Sequence, residues 1–132
     1  DKILFDAPCS SEWRIALHNE KSHMYWTPWI VKRNYKLQLQ IVKNIIPMLK
    51  AGGELVYSTC TLSPQENEAI VHFILCAYPE LEIMDIDLEI PGSKAWITSF
   101  GETVYTKDVS QSLRVIPSPL MEWFFVAKFR KK

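Results

Sequence analysis

The sequence predicts an α/β fold, built on a mostly parallel sheet, from three observations. Two apolar runs each stop at a short polar segment that carries a cysteine: Ile3-Leu4-Phe5 before Asp6-Ala7-Pro8-Cys9, and Leu55-Val56-Tyr57 before Ser58-Thr59-Cys60. Each run is followed by a helical signal. A Gly52-Gly53 turn leads into the second run. Strand, polar loop, helix, strand is the βαβ pattern, and in open α/β sheets chemistry collects just past the carboxyl ends of the strands.

Asp1 to Phe5 forms the first strand. Its apolar run does not alternate, so both faces are expected to be covered. Ser10 to Trp26 is a polar loop containing Trp13, His18, His23, Tyr25 and Trp26. Its aromatics either stack on nucleic-acid bases or pin the loop to the body, and pinning is the simpler expectation. The histidines are expected at the surface. Thr27-Pro28 starts a helix, with a hydroxyl N-cap and proline at the first helical position. Ile30, Val31, Leu37, Ile41, Val42, Ile45, Met48 and Leu49 recur at helical spacing, and Pro47 closes the helix near Ile46.

Glu54 to Ser58 is the second strand. Ser63-Pro64-Gln65-Glu66 has the form of a capping box opening the next helix. The inner face of that helix is Ala69, Ile70, Phe73, Ile74 and Ala77, and Pro79 ends it. Cys76 lies off that stripe and is expected to be inert. Leu81 and Ile83, with Ile86 at the margin, mark a third strand. An irregular stretch begins at Pro91-Gly92. Trp96 to Tyr105 alternates loosely around Gly101 and suggests a hairpin. Leu113 to Pro117 is a short extended piece, and Trp123 to Phe129 the last strand.

Composition narrows the class. The chain has 132 residues, 48% of them apolar and 12% aromatic, which suits one packed domain. No apolar run is long enough to span a bilayer, so no membrane partner is expected. The formal net charge is zero, so overall charge lends nucleic-acid binding no support. The three cysteines, Cys9, Cys60 and Cys76, are too few and too irregular for a disulfide framework, and their spacing is not that of a zinc site. A reducing cytoplasm is the expected setting. A single cysteine such as Cys60 reads equally well as a small buried hydrophobe; two cysteines at the ends of two strands read better as one site.

Asp6-Ala7-Pro8-Cys9 and Tyr57-Ser58-Thr59-Cys60-Thr61 together resemble the Sun/Nop family of RNA cytosine-5 methyltransferases. The likeness extends to Leu49-Lys50-Ala51-Gly52-Gly53, Glu66-Asn67-Glu68 and Phe124-Phe125-Val126-Ala127-Lys128. It covers most of the chain and is weak between residues 10 and 36 and between 87 and 112. Ser11 and Trp123 stand where the family commonly carries glycine. The resemblance implies the C-terminal half of a class I (Rossmann-like) S-adenosylmethionine-dependent methyltransferase fold. Its last strand would insert antiparallel between the second and third.

The same resemblance assigns Cys60 as the nucleophile, Cys9 as the thiol assisting product release, and Asp6 as the carboxylate beside both cofactor and base. The DNA cytosine methyltransferases attack from a Pro-Cys motif, which would nominate Cys9 instead. S-adenosyl-L-methionine is the implied cofactor and rRNA or tRNA the implied partner. Residues 1–132 carry no glycine-rich cofactor loop. They are therefore expected to be the C-terminal part of a catalytic domain that binds the cofactor weakly when isolated. The rival readings are a non-catalytic RNA- or protein-binding module of the same fold, and a dithiol redox protein using Cys9 and Cys60.

Overall fold

The computed structural model describes residues 1–16, 18–88, 90 and 97–132. Strand β1 (Lys2–Asp6) leads through the polar loop into α1 (Pro28–Ile45), then β2 (Glu54–Thr59), α2 (Glu68–Ala77) and β3 (Leu81–Met84). A small hairpin of β4 (Ser99–Phe100) and β5 (Thr103–Val104) precedes β6 (Leu113–Val115) and β7 (Phe124–Lys131). The main sheet runs β1-β2-β7-β3, with β6 also on β7. Strands β1 and β2 are parallel, and β7 is antiparallel to both β2 and β3. The last strand thus inserts antiparallel between the second and third, as the resemblance implies. The far edge of β7 is shared, with β3 on Lys128 to Lys131 and β6 on Phe124 to Val126.

One face of this sheet is the core. Phe5, Leu55, Tyr57, Phe125, Ala127 and Phe129 are buried with Val42 and Ile46 beside α1 and with Ile70, Val71 and Ile74 of α2. Tyr57 stacks edge-on against Phe5 at 5.6 Å and Phe125 at 6.4 Å. Each such pair contributes about 0.5–1.5 kcal/mol beyond area burial. The opposite face carries Leu4, 76% exposed, together with the ion-paired Lys2, Glu54, Lys128 and Arg130. Within residues 1–132, β1 is covered on one face, where an unalternating apolar run leads one to expect cover on both, because both long helices pack on the same side. Leu37 and Met48 are exposed as well, while Asn34 and Gln38 take buried places on α1.

The helix boundaries follow local chemistry with one exception. Thr27 Oγ1 accepts from Ile30 N at 3.3 Å and Pro28 opens α1. Pro47 turns its end into a 3-10 turn, Ile46–Met48. The expected capping box does not form. Helix α2 begins at Glu68, its N-cap Asn67 makes no side-chain cap, and the Glu66 side chain turns inward. Tertiary partners outcompete the local cap for both side chains. The hairpin is present around Gly101, whose φ of 60° suits glycine. Trp96, at its expected start, and the Pro91-Gly92 stretch lie outside the described residues.

Gly53 is where the sheet closes at its lower end. A Cβ there would lie 2.8 Å from Lys50 O and 3.0 Å from Asp1 O, and Gly53 O accepts from Lys131 N at 2.9 Å. The third obstructing atom is the Leu49 Cδ1 at 2.9 Å; the other two are backbone and cannot swing away. Gly53→Ala is therefore expected to destabilise the protein by about 1–3 kcal/mol, the range for overpacking. Urea unfolding checks this; an unchanged midpoint would contradict it.

Candidate active site

Parallel pairing places the carboxyl ends of β1 and β2 side by side. Asp6 is in register with Ser58, and Ala7 N donates to Ser58 O at 2.8 Å. Beyond that point each chain continues into its polar segment. The Cys9 and Cys60 sulfurs lie 3.0 Å apart and both thiols are free. A disulfide would need about 2.05 Å, so this is a thiol pair in hydrogen-bond contact. Asp6 is exposed and accepts from Ser58 Oγ at 2.8 Å. The three residues singled out in the sequence therefore converge on one strand edge, with Cys9 and Cys60 touching and Asp6 tied to Ser58. Cys76 is exposed on α2, against His72.

A buried polar network fixes both loops. Glu12 Oε2 accepts from Thr61 Oγ1 at 2.6 Å and from Leu62 N at 2.5 Å, and Glu12 Oε1 accepts from Trp26 Nε1 at 2.7 Å. Ser10 Oγ and Thr61 Oγ1 share a hydrogen bond of 2.8 Å. Asn67 links Thr59 Oγ1 to Thr61 O. Glu66 Oε2 accepts from Ser10 N at 3.0 Å and from Gln38 Nε2 at 2.9 Å. Tyr57 OH donates to Glu66 O at 2.5 Å, which joins the core to the site. Arg114 of β6 ion-pairs with buried Glu68 and donates to Leu62 O at 3.0 Å.

The loop aromatics act as pins. Besides the Trp26 bond, Tyr25 OH donates to Ser11 O at 2.6 Å. His18 and His23 are exposed. Ser11 has φ 55° and ψ 43°, a left-handed conformation costing a non-glycine residue about 1–2 kcal/mol. Its hydroxyl lies 4.0 Å from the Cys60 sulfur.

Glu12, Gln38 and Glu66 were not among the residues the sequence singled out for the site. Glu66 was visible as a helix cap and as part of the Glu66-Asn67-Glu68 likeness, and Gln38 lay outside the apolar stripe of its helix. Nothing local marked Glu12.

The two sulfurs titrate as one unit. With Cys60 donating its S–H to Cys9, the Cys9 thiol is held down to about 6. Cys60, as the donor beside a thiolate, is pushed up. The pair thus holds one proton and one negative charge at neutral pH. Either sulfur can be the donor; with Cys60 as the donor the charge rests on Cys9.

The strand order and the antiparallel last strand define an α/β fold of the Rossmann-like class, with two thiols at adjacent strand ends. Comparison with known sequences gives the family. Residues 1–130 match the family described as 16S rRNA methyltransferase RsmB/F, and the chain belongs to it. It is 34% identical over 99% of its length to Ribosomal RNA small subunit methyltransferase F of Cronobacter sakazakii. It is 36% identical over 99% of its length to the tRNA (cytosine(49)-C(5))-methyltransferase of Pyrococcus abyssi. A methyltransferase homolog protein from Pyrococcus horikoshii superposes over 100% of the chain with a TM-score of 0.80 and 32% identity. The chain spans 25% and 42% of the length of those two relatives and 39% of that structure.

The shared proton has a measurable sign. Cys60→Ala removes the donor that stabilises the Cys9 thiolate. The midpoint of the pH profile for iodoacetamide modification of Cys9 should then move from about 6 to the ordinary thiol range, about 8.5 or higher. Mass spectrometry of the Cys9 peptide follows it. A midpoint that stays near 6 would contradict a shared proton.

Proposed function

We propose that this chain carries the reacting cysteines of an S-adenosylmethionine-dependent RNA cytosine-5 methyltransferase that acts on rRNA or tRNA through a covalent cysteine adduct. The observation that carries the proposal is the 3.0 Å approach of two free thiols at adjacent strand ends, in a chain that belongs to this family. RNA as substrate is supported by the rRNA of the family description and the tRNA in the name of the Pyrococcus abyssi relative.

Carbon 5 of cytosine is a weak nucleophile. Addition of a thiolate to carbon 6 turns carbon 5 into a carbanion equivalent, which splits one difficult step into easier ones. Cys60 is the proposed attacker, and Cys9 is placed to take its proton: as the Cys60 sulfur bonds to carbon 6, its hydrogen passes to the Cys9 thiolate. No charge then has to be created in the pair. After methylation the carbon 5 proton must leave and the Cys60–carbon 6 bond must break, with Cys60 departing as thiolate. The carbon 5 proton goes to water, and Cys9, a thiol since the attack, returns its proton to the departing Cys60 sulfur, which restores the starting pair. The target base has to leave its stack to reach the pair.

S-adenosylmethionine, when bound, supplies the methyl group as an electrophilic sulfonium. Asp6 is the residue of this chain proposed to face both it and the base. An exposed carboxylate held at the strand end by Ser58 fits that role. The four glycines of the chain form no glycine-rich loop, so its residues provide one side of a cofactor site and bind the cofactor weakly by themselves. Two sulfurs this close also favour a reducing compartment, the cytoplasm.

A second reading has one observation behind it: Cys9 is the sulfur held down to about 6, which suits Cys9 as attacker. Two mutants in the natural full-length protein separate the readings. Cys60→Ala should abolish methylation and the protein–RNA adduct. Cys9→Ala should form an adduct more slowly, the Cys60 proton going to water instead, and that adduct should survive denaturing gels because release is slower still. Exchanged phenotypes would make Cys9 the attacker. If both mutants methylated normally, the covalent mechanism would be wrong.

A further inference from the structure

The Glu66–Gln38 contact is short of one hydrogen. Glu66 is fully buried, as is Gln38. Glu66 Oε2 accepts two bonds, from Ser10 N and Gln38 Nε2. Glu66 Oε1 and Gln38 Oε1 are both buried without a partner. Rotating the amide does not help. Gln38 Nε2 also donates to Pro8 O at 2.9 Å, and a flipped amide would set its oxygen against that carbonyl and against Glu66. The orientation is therefore fixed by its neighbours. Two planar groups joined at one corner then leave two bare acceptor oxygens, and a single O–H on Glu66 Oε1 shared with Gln38 Oε1 would satisfy both.

We propose that Glu66 is a neutral carboxylic acid that forms a two-bond ring with the Gln38 carboxamide and positions the Pro8-Cys9-Ser10 segment for the reaction proposed above. In that ring Gln38 Nε2–H donates to Glu66 Oε2 and Glu66 Oε1–H donates to Gln38 Oε1. The pair then grips the cysteine segment on both sides of Cys9. Gln38 holds the Pro8 carbonyl and Glu66 the Ser10 amide. An ionised Glu66 would instead be a buried carboxylate with one oxygen bare, an expensive arrangement.

The surroundings agree. From the β1 loop, Cys9 contributes a thiolate, and Glu12 lies two hydroxyls away, through Thr61 and Ser10. From β2, Tyr57 donates to the Glu66 carbonyl. Arg114 is committed to Glu68, and among the described residues no cation bonds Glu66. Burial, and secondarily the Cys9 charge, push the Glu66 carboxyl up to about 7. Below about pH 7 the contact between Glu66 and the sulfur pair then holds one negative charge, on the sulfurs, rather than two.

Glu66 acts on the reaction through the Cys9 segment, so it is a positioning residue. Glu66→Gln keeps a neutral donor–acceptor pair with the same pattern, an N–H replacing the O–H. Glu66→Ala removes it. The test uses the natural full-length protein and two readouts. Infrared difference spectra, native minus Glu66→Gln, should show a protonated carboxyl C=O band at about pH 6, below the value near 7, and lose it at about pH 8. Glu66→Gln should transfer methyl groups near the native rate and decline less on the alkaline side, while Glu66→Ala should lose about a hundredfold, as misplaced groups do. Absence of the band at about pH 6, or a Glu66→Gln variant as impaired as Glu66→Ala, would overturn the inference. If the band is present but the native protein methylates no RNA, the functional reading fails and the neutral pair stands.

Discussion

Parallel pairing of β1 with β2, in the register that sets Asp6 beside Ser58, is the constraint on which the rest depends. It brings to 3.0 Å two sulfurs whose residues are 51 positions apart. The side-chain period of a strand is two, so a slip of one residue would turn Phe5 out of the core and move Cys9 away from Cys60. Tyr57 secures the register. Its ring is locked between Phe5 and Phe125, and its hydroxyl reaches the turn that carries Glu66. The core and the site share that residue.

Two loops must then hold two thiols at contact distance, and apolar packing alone is too unspecific for that. A polar network does it. Glu12 joins the Cys9 loop to the Cys60 loop, Glu66 and Gln38 hold the backbone on either side of Cys9, and Arg114 with Glu68 fastens Leu62. Buried networks of this kind are strong only when fully satisfied. The two oxygens still bare at Glu66 and Gln38 are therefore informative about protonation. The left-handed Ser11 beside Cys60 shows strain tolerated where the loop must turn sharply.

Much of this was legible in the sequence. Strands one, two, three and seven, both long helices and the Cys9–Cys60 pairing follow from apolar runs, proline and hydroxyl signals, and two motifs in order. The structure departs where the deciding partner is distant. Ser63 to Glu66 satisfies the local rule for a cap, yet Glu66 bonds Gln38, 28 positions away, and Ser10, 56 away. Gln38, outside the apolar stripe of its helix, carries no mark of burial until the chain is folded around it. An unalternating apolar run such as β1 gives no hint of which side the helices of residues 1–132 cover. Trp26 and Tyr25 pin the loop, as expected, but that Glu12 would receive the Trp26 bond had no local signature.

The central claim is that Cys60 and Cys9 are one reacting unit with the attack made by Cys60. The most direct measurement is to react the natural full-length protein and S-adenosylmethionine with substrate RNA carrying 5-fluorocytosine at the methylated position. Fluorine replaces the hydrogen that must leave carbon 5, so the adduct cannot be released. Digestion and mass spectrometry then locate the sulfur bonded to the base. The account predicts a nucleotide on the Cys60 peptide with Cys9 unmodified. A nucleotide on Cys9, or no adduct at all, would contradict it.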